Sequence, residues 1–207
     1  MKIIFCELVS NNRTPEEHMG TAYIAAYLEK MSILAQCQII RYDEDHIEYD
    51  AMIEQINSEY DVYGFPLYDT TAEIVYEFCR KLKIKKPNCK ILVGGHLAST
   101  AYNLVFQDCQ AIDFAVLGFG EIPTYQIIKA LENNTDIREI DSVVVRDANN
   151  NHQKKPAMID LKEVPWASRQ YLEQTIKAGS GSARICTSRG CVANCSFCSY
   201  NNYHNVS

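Results

Sequence analysis

The stretch Lys90-Ile91-Leu92-Val93-Gly94-Gly95 decides how the chain is read. A short apolar strand is stopped by two glycines, and a helical pattern follows over Ser99–Phe106. The same unit recurs on both sides. Ile112–Leu117 is closed by Gly118-Phe119-Gly120 ahead of a helical Glu121–Leu131. Asp61–Pro66 ends at a proline ahead of Thr71–Leu82, where Ile74, Val75, Phe78 and Leu82 share one side. Toward the amino terminus, Lys2–Val9 and Gln36–Tyr42 are apolar enough for buried strands. Gly20–Met31 carries Ile24, Ala25 and Leu28 at helical spacing, Tyr49–Ser58 is helical, and Asp141–Arg146 is a last strand. Strands alternating with helices of this length predict an α/β fold: a Rossmann-like, doubly wound parallel sheet covered on both faces.

In such sheets ligands bind beyond the carboxyl ends of the strands. Pro66, Gly94-Gly95 and Gly118-Phe119-Gly120 all fall on that edge. Glycines there allow a ligand to approach the backbone closely, although tight strand-to-helix turns use them too.

The 207 residues suit one large or two small domains, and 47% hydrophobic with 22% charged residues is ordinary for a globular protein. A net charge of −6 with no basic tract gives no electrostatic reason to expect nucleic acid. The apolar runs are far short of a membrane span, and Met1–Phe5 runs straight into Cys6 and Glu7 without an apolar leader. A cytoplasmic protein with no membrane partner is expected. Three regions are predicted: an α/β domain over 1–147, a linker over 148–182, and a distinct segment over 183–207. The linker is suggested by Asn149-Asn150-Asn151, Val164-Pro165 and Gly179-Ser180-Gly181-Ser182. The last segment opens with a strand, Ala183–Thr187.

Five of the nine cysteines (Cys6, Cys37, Cys79, Cys89 and Cys109) are scattered singly and read as small core residues. The other four crowd between Cys186 and Cys198. Cys191, Cys195 and Cys198 have the spacing Cys-x3-Cys-x2-Cys. Three thiolates on one loop can hold three corners of a [4Fe–4S] cube and leave the fourth iron open. A zinc knuckle is the rival reading, with Cys186 or His204 as fourth ligand, though neither gives a usual zinc spacing.

This motif, with Phe197 before the third cysteine, resembles the radical S-adenosylmethionine (radical SAM) superfamily. More of the chain resembles the members with an N-terminal cobalamin-binding domain. The matching stretches are Met19–Leu28, Asp61–Gly64, Val93-Gly94-Gly95-His96, Gly118-Phe119-Gly120-Glu121, Val143–Asp147, Asp160-Leu161 before Val164-Pro165, and Thr187-Ser188-Arg189-Gly190-Cys191. The resemblance implies a [4Fe–4S] cluster on Cys191, Cys195 and Cys198, whose open iron binds SAM, with the backbone of Phe197 against the adenine. It implies cobalamin at Thr70, Gly94, Gly95, Gly118, Gly120 and Glu121. The implied activity is methyl transfer to an unactivated centre, through a 5′-deoxyadenosyl radical and methylcobalamin. The implied partners are a small-molecule or peptide substrate and an electron donor such as flavodoxin or ferredoxin. Alternatives are a radical SAM enzyme whose domain no longer binds B12, and a non-catalytic cobalamin-binding module. The methylthiotransferases fit less well, because Cys6 to Cys109 include no close group for a second cluster.

Two departures from the resemblance matter. Asp-x-His-x-x-Gly, which supplies a histidine beneath the cobalt, is not matched by Glu16-Glu17-His18-Met19-Gly20 or by Asp43-Glu44-Asp45-His46. Cobalamin without a histidine lower ligand is therefore expected, with His18 and His46 at the surface. An α/β barrel also needs roughly two hundred residues. Only its first strand and cluster loop are legible, so the chain reads as the N-terminal part of a larger catalytic unit.

Overall fold

A computed structural model describes residues 1–56, 58–146, 159–191, 193 and 195–199. Its first strand, β1 (Lys2–Ser10), lies inside the sheet and is apolar on both sides because both sides are covered. Ile4, Cys6 and Leu8 enter one core and Ile3 and Phe5 the other. The remaining elements follow in order: α1 (Met19–Lys30), β2 (Leu34–Tyr42), α2 (Tyr49–Glu54), β3 (Val62–Pro66), α3 (Ala72–Lys85) and β4 (Lys90–Gly94). Then come α4 (His96–Asp108), β5 (Phe114–Val116), α5 (Glu121–Asn133), a 3-10 turn (Ile137–Glu139), β6 (Val143–Val145) and α6 (Gln170–Lys177).

The strands lie in the order β2-β1-β3-β4-β5-β6. Helices α2, α3 and α4 supply the core on one face, and α1, α5 and α6 the core on the other. The order reverses direction between β1 and β3, and the loops leaving them diverge to opposite faces. That divergence opens a crevice at the carboxyl edge.

The sheet is not wholly parallel as predicted. β6 runs antiparallel to β5, with Val143 opposite Val116. Helix α5 has 13 residues and is about 20 Å long. Residues 134–142 are enough chain to retrace that length before β6 starts, at the carboxyl edge.

The stretch expected as linker also differs. Its part 159–182 contains α6, which lies along β2 with Tyr171 and Thr175 fully buried. The edge strand β2 is closed by side chains instead of another strand. Gln170 accepts from Cys37 N at 2.7 Å and donates to Ala35 O at 3.1 Å. Gln174 accepts from Ile39 N and donates to Cys37 O, both at 2.8 Å. Gln55, just past α2, accepts from Arg41 N at 2.9 Å and donates to Arg41 O at 2.8 Å. Each amide mimics a peptide group, so this edge offers few free pairing sites to another chain.

Ala183–Thr187, predicted as a strand, has no ladder. A strand exists only through its neighbours, and this segment borders side chains of α1 and of the loop before it. Asn149-Asn150-Asn151 and His204 lie outside the described residues. Among those residues, no helix is long and apolar enough to cross a membrane.

Candidate functional site

The crevice is a cavity of about 470 Å³, mostly apolar and open to solvent on one side. Every strand-to-helix loop on its rim belongs to the carboxyl edge. Phe5, Phe65, Leu92 and Val116 come from the strand ends, and Gly94, Gly95, Gly118 and Gly120 from the turns. The amino ends of α1, α4 and α5 border it, where the helix dipoles favour carbonyl and anionic oxygens. Ser99 braces two of the glycine loops, donating to Gly95 O at 2.8 Å and accepting from Gly118 N at 3.0 Å.

Of the residues assigned to cobalamin, Gly94, Gly95, Gly118, Gly120 and Glu121 all line this cavity. Thr70 does not: it is exposed on the turn before α3. Glu121 is 2% exposed, and its carboxylate is taken by Arg189.

His18 corrects an expectation. It is not a surface residue: it caps α1 and lines the cavity. Thr21 N donates to Nδ1 at 3.1 Å, so Nε2 carries the proton and meets the Tyr68 hydroxyl at 2.5 Å. Burial brings its pKa down to about 4, and the ring is neutral. Thr21 Oγ1 lies 3.1 Å from the Tyr171 hydroxyl, which also donates to Phe5 O at 3.3 Å. The wall is thus tied through α6. His46 is exposed, as expected, and pairs with Glu48 at 2.7 Å.

Tyr23, Thr124 and Arg189, which also line the cavity, and Glu17, which stands beside it, were not expected from the sequence. Arg189 was within reach, since it lies in the stretch leading to Cys191. Glu17 has no local signature.

A corrin has broad apolar faces and a fringe of amides, and the cavity can be tested against both. Its walls are apolar. Thr124 Oγ1 is buried in the wall with no hydrogen-bond partner, and is placed to meet an amide. Gly94 leaves open space, for a Cβ built there would touch nothing nearer than Val116 O at 3.7 Å. These residues fit such a ligand.

The three cysteines of the motif are exposed, and Cys198 N donates to Cys195 O at 3.1 Å, closing a turn between them. Among the described residues, no three His, Cys, Asp or Glu side chains come close enough to hold a metal ion. The thiols suit an iron–sulfur cluster by chemistry and spacing. Phe197 is 91% exposed. Cys6, Cys37, Cys79, Cys89 and Cys109 are buried, and burial pushes the Cys37 thiol up to about 12, so they stay protonated.

Residues 8–128 match the model of the B12 binding domain. The anaerobic magnesium-protoporphyrin IX monomethyl ester cyclase of Synechocystis sp. is 28% identical over 121 residues, covering 56% of this chain and 24% of that protein. An uncharacterized methyltransferase of Pyrococcus horikoshii is 22% identical over 185 residues, covering 87% of this chain and 40% of that one. The chain therefore spans between about a quarter and two fifths of these relatives. Among solved structures, the cobalamin-dependent S-adenosylmethionine radical enzyme OxsB, with aqua-cobalamin and S-adenosylmethionine bound, superposes with a TM-score of 0.77. The match is 20% identical and covers 96% of this chain and 28% of that one.

Proposed function

Because the chain belongs to the B12-binding-domain family, we propose that its carboxyl-edge cavity holds cobalamin and that it works within a radical SAM enzyme that transfers a methyl group. The observation that carries this reading is one connected arrangement. An apolar cavity with an orphaned hydroxyl stands at the sheet's switch point, and the segment leading to Cys191 forms one of its walls. The likeness to a cobalamin-dependent radical enzyme over 96% of the chain supports it, and so does the match to a methyltransferase.

Cys191, Cys195 and Cys198 would hold the cluster. Bound together, the cluster with SAM and cobalamin would supply a carbon-centred radical and a methyl donor. The chain's own residues prepare the place. Phe5, Phe65, Leu92 and Val116 exclude water from the inner face. His18, neutral and occupied at both ring nitrogens by Thr21 and Tyr68, presents no cationic charge to the cavity. With both nitrogens engaged, it stands as a wall and not as a lower ligand. Thr124 offers a hydrogen bond to the ligand's fringe.

The test is anaerobic reconstitution with iron and sulfide in the presence of hydroxocobalamin, followed by absorption and electron paramagnetic resonance spectroscopy. Co-purifying corrin bands and a [4Fe–4S] signal that disappears in the Cys191, Cys195 and Cys198 triple alanine variant are expected. Stoichiometric zinc and no iron would overturn the cluster assignment.

A further inference from the structure

The chain entering the cysteine motif is sewn to the α/β domain at two buried carboxylates. Glu17, in the loop before α1, is 2% exposed. It accepts from Arg184 N at 2.7 Å and from Arg169 Nη1 at 3.0 Å, and Arg169 also donates to Arg184 O at 2.8 Å. Glu121, the first residue of α5, accepts from Arg189 Nη1. The Arg189 guanidinium lies 4.2 Å from the centre of the Tyr23 ring and 5.6 Å from that of Phe119. Tyr23 in turn donates to Cys186 O at 3.5 Å. Gly190 then turns the chain with φ +93°, so Cys191 follows at once.

This is not a surface ion pair. The Arg189 side chain is 13% exposed and the Glu121 side chain 2%. A planar guanidinium can pair edge-on with a carboxylate while its flat face stacks on a ring, whereas an ammonium has no plane to stack. Breaking one partner leaves a buried charge in an apolar wall, so the pair holds or the segment moves away. Arg189 and Cys186 both line the cavity, and Arg189 is two residues from the first cysteine of the motif. Of the contacts that hold this segment, the Arg189 pair is the one nearest the motif.

We infer that Arg189 is a positioning residue, and that its ion pair with Glu121 is the latch fixing the cysteine loop against the rim of the cavity. What occupies the cavity rests on the function proposed above. The latch itself is a property of the chain without cofactor and can be measured there.

The test is the alkylation rate of Cys186 in the anaerobic, cofactor-free chain, followed by mass spectrometry. Cys186 is half-buried and lines the same cavity as Arg189, and the exposed Cys191, Cys195 and Cys198 serve as internal references. Arg189→Ala and Glu121→Gln are each expected to raise the Cys186 rate about tenfold or more, and the double variant no further. Arg189→Lys, which keeps the charge without the stacked fork, is expected to fall between. Should an alanine variant fold poorly, Glu121→Gln and Arg189→Lys still decide the matter. An unchanged Cys186 rate in Glu121→Gln would overturn the latch.

Hydroxocobalamin titration of the same variants forms the second arm, with weakened binding expected. Wild-type affinity in every variant would overturn the positioning role even if Cys186 became reactive. No binding by the wild-type chain, with the Cys186 effect present, would leave the latch standing and reject the proposed function.

Discussion

His18 and Tyr68 reach each other from two different strand-to-helix loops, Nε2 to hydroxyl at 2.5 Å, with their rings edge to face at 5.8 Å between centres. The contact bridges the switch point and keeps the imidazole neutral, because burial lowers its pKa from 6.5 to about 4. In that range the unfolded chain takes up a proton that the folded chain refuses. The stability due to neutral His18 is complete above pH 6.5 and is lost as pH falls toward 4. His18→Asn, which can still cap α1, should remove on the order of 2 kcal/mol of this acid sensitivity. Melting curves of both proteins between pH 4 and 7 check it: the wild type should fall more steeply.

Glu7 behaves in the opposite sense. Its Oε2 is buried without a partner, and burial raises its pKa from 4.5 to about 7, with Arg184 only partly offsetting that. The folded chain holds this proton more tightly than the unfolded chain, so stability falls as pH rises from 4.5 through 7. Glu7→Gln should therefore stabilise the protein at pH 8, by on the order of 2 kcal/mol, and change little at pH 4.5. Equal shifts at both pH values would contradict a protonated Glu7.

The glutamine ladder on β2 makes α6 part of the domain. Gln170→Ala with Gln174→Ala removes four hydrogen bonds to the strand and should cost about 2–4 kcal/mol. It also bares an edge, so faster aggregation by light scattering is expected below the melting temperature. Stability within about 0.5 kcal/mol of wild type by urea unfolding, the usual range for a surface substitution, would argue against the ladder.

Two glycines on the rim should respond differently. Gly95 has φ +91°, and a Cβ there would lie 3.3 Å from Leu67 O, so Gly95→Ala should cost about 1–3 kcal/mol. Gly120 has φ −95°, and its added Cβ would press on Ile24, at 2.5 Å from Cδ1 and 3.2 Å from Cγ1, with Thr124 Oγ1 at 3.8 Å. Gly120→Ala should cost less, since a flexible side chain can turn aside. Comparison of the two melting temperatures checks the order.

Much of this was written in the sequence. Apolar runs such as Lys90–Val93 mark buried strands, and the glycines after them mark the ligand edge, because both follow from local chemistry. The direction of β6 was not legible, since it depends on where residues 134–142 travel. Helix α6 was hidden for a related reason. Its Gln170 and Gln174 look like solvated surface until an edge strand is placed beside them. His18 was misread because its motif did not match, while its burial comes from Tyr68, fifty residues away. The pairing of Arg189 with Glu121 likewise spans 68 positions and has no local signature.

The central claim is that the carboxyl-edge cavity is the corrin site, and Gly94→Leu tests it most directly. A Cβ at Gly94 meets no atom nearer than 3.7 Å and Gly94 lines the cavity, so a leucine there is expected to extend into that space and leave the melting temperature close to wild type. Hydroxocobalamin is titrated into both proteins by equilibrium dialysis under anaerobic conditions. Saturable one-to-one binding by the wild type, weakened about tenfold or more in Gly94→Leu, is the expected result. No saturable binding by the wild type, or equal affinity in a well-folded Gly94→Leu, would contradict it.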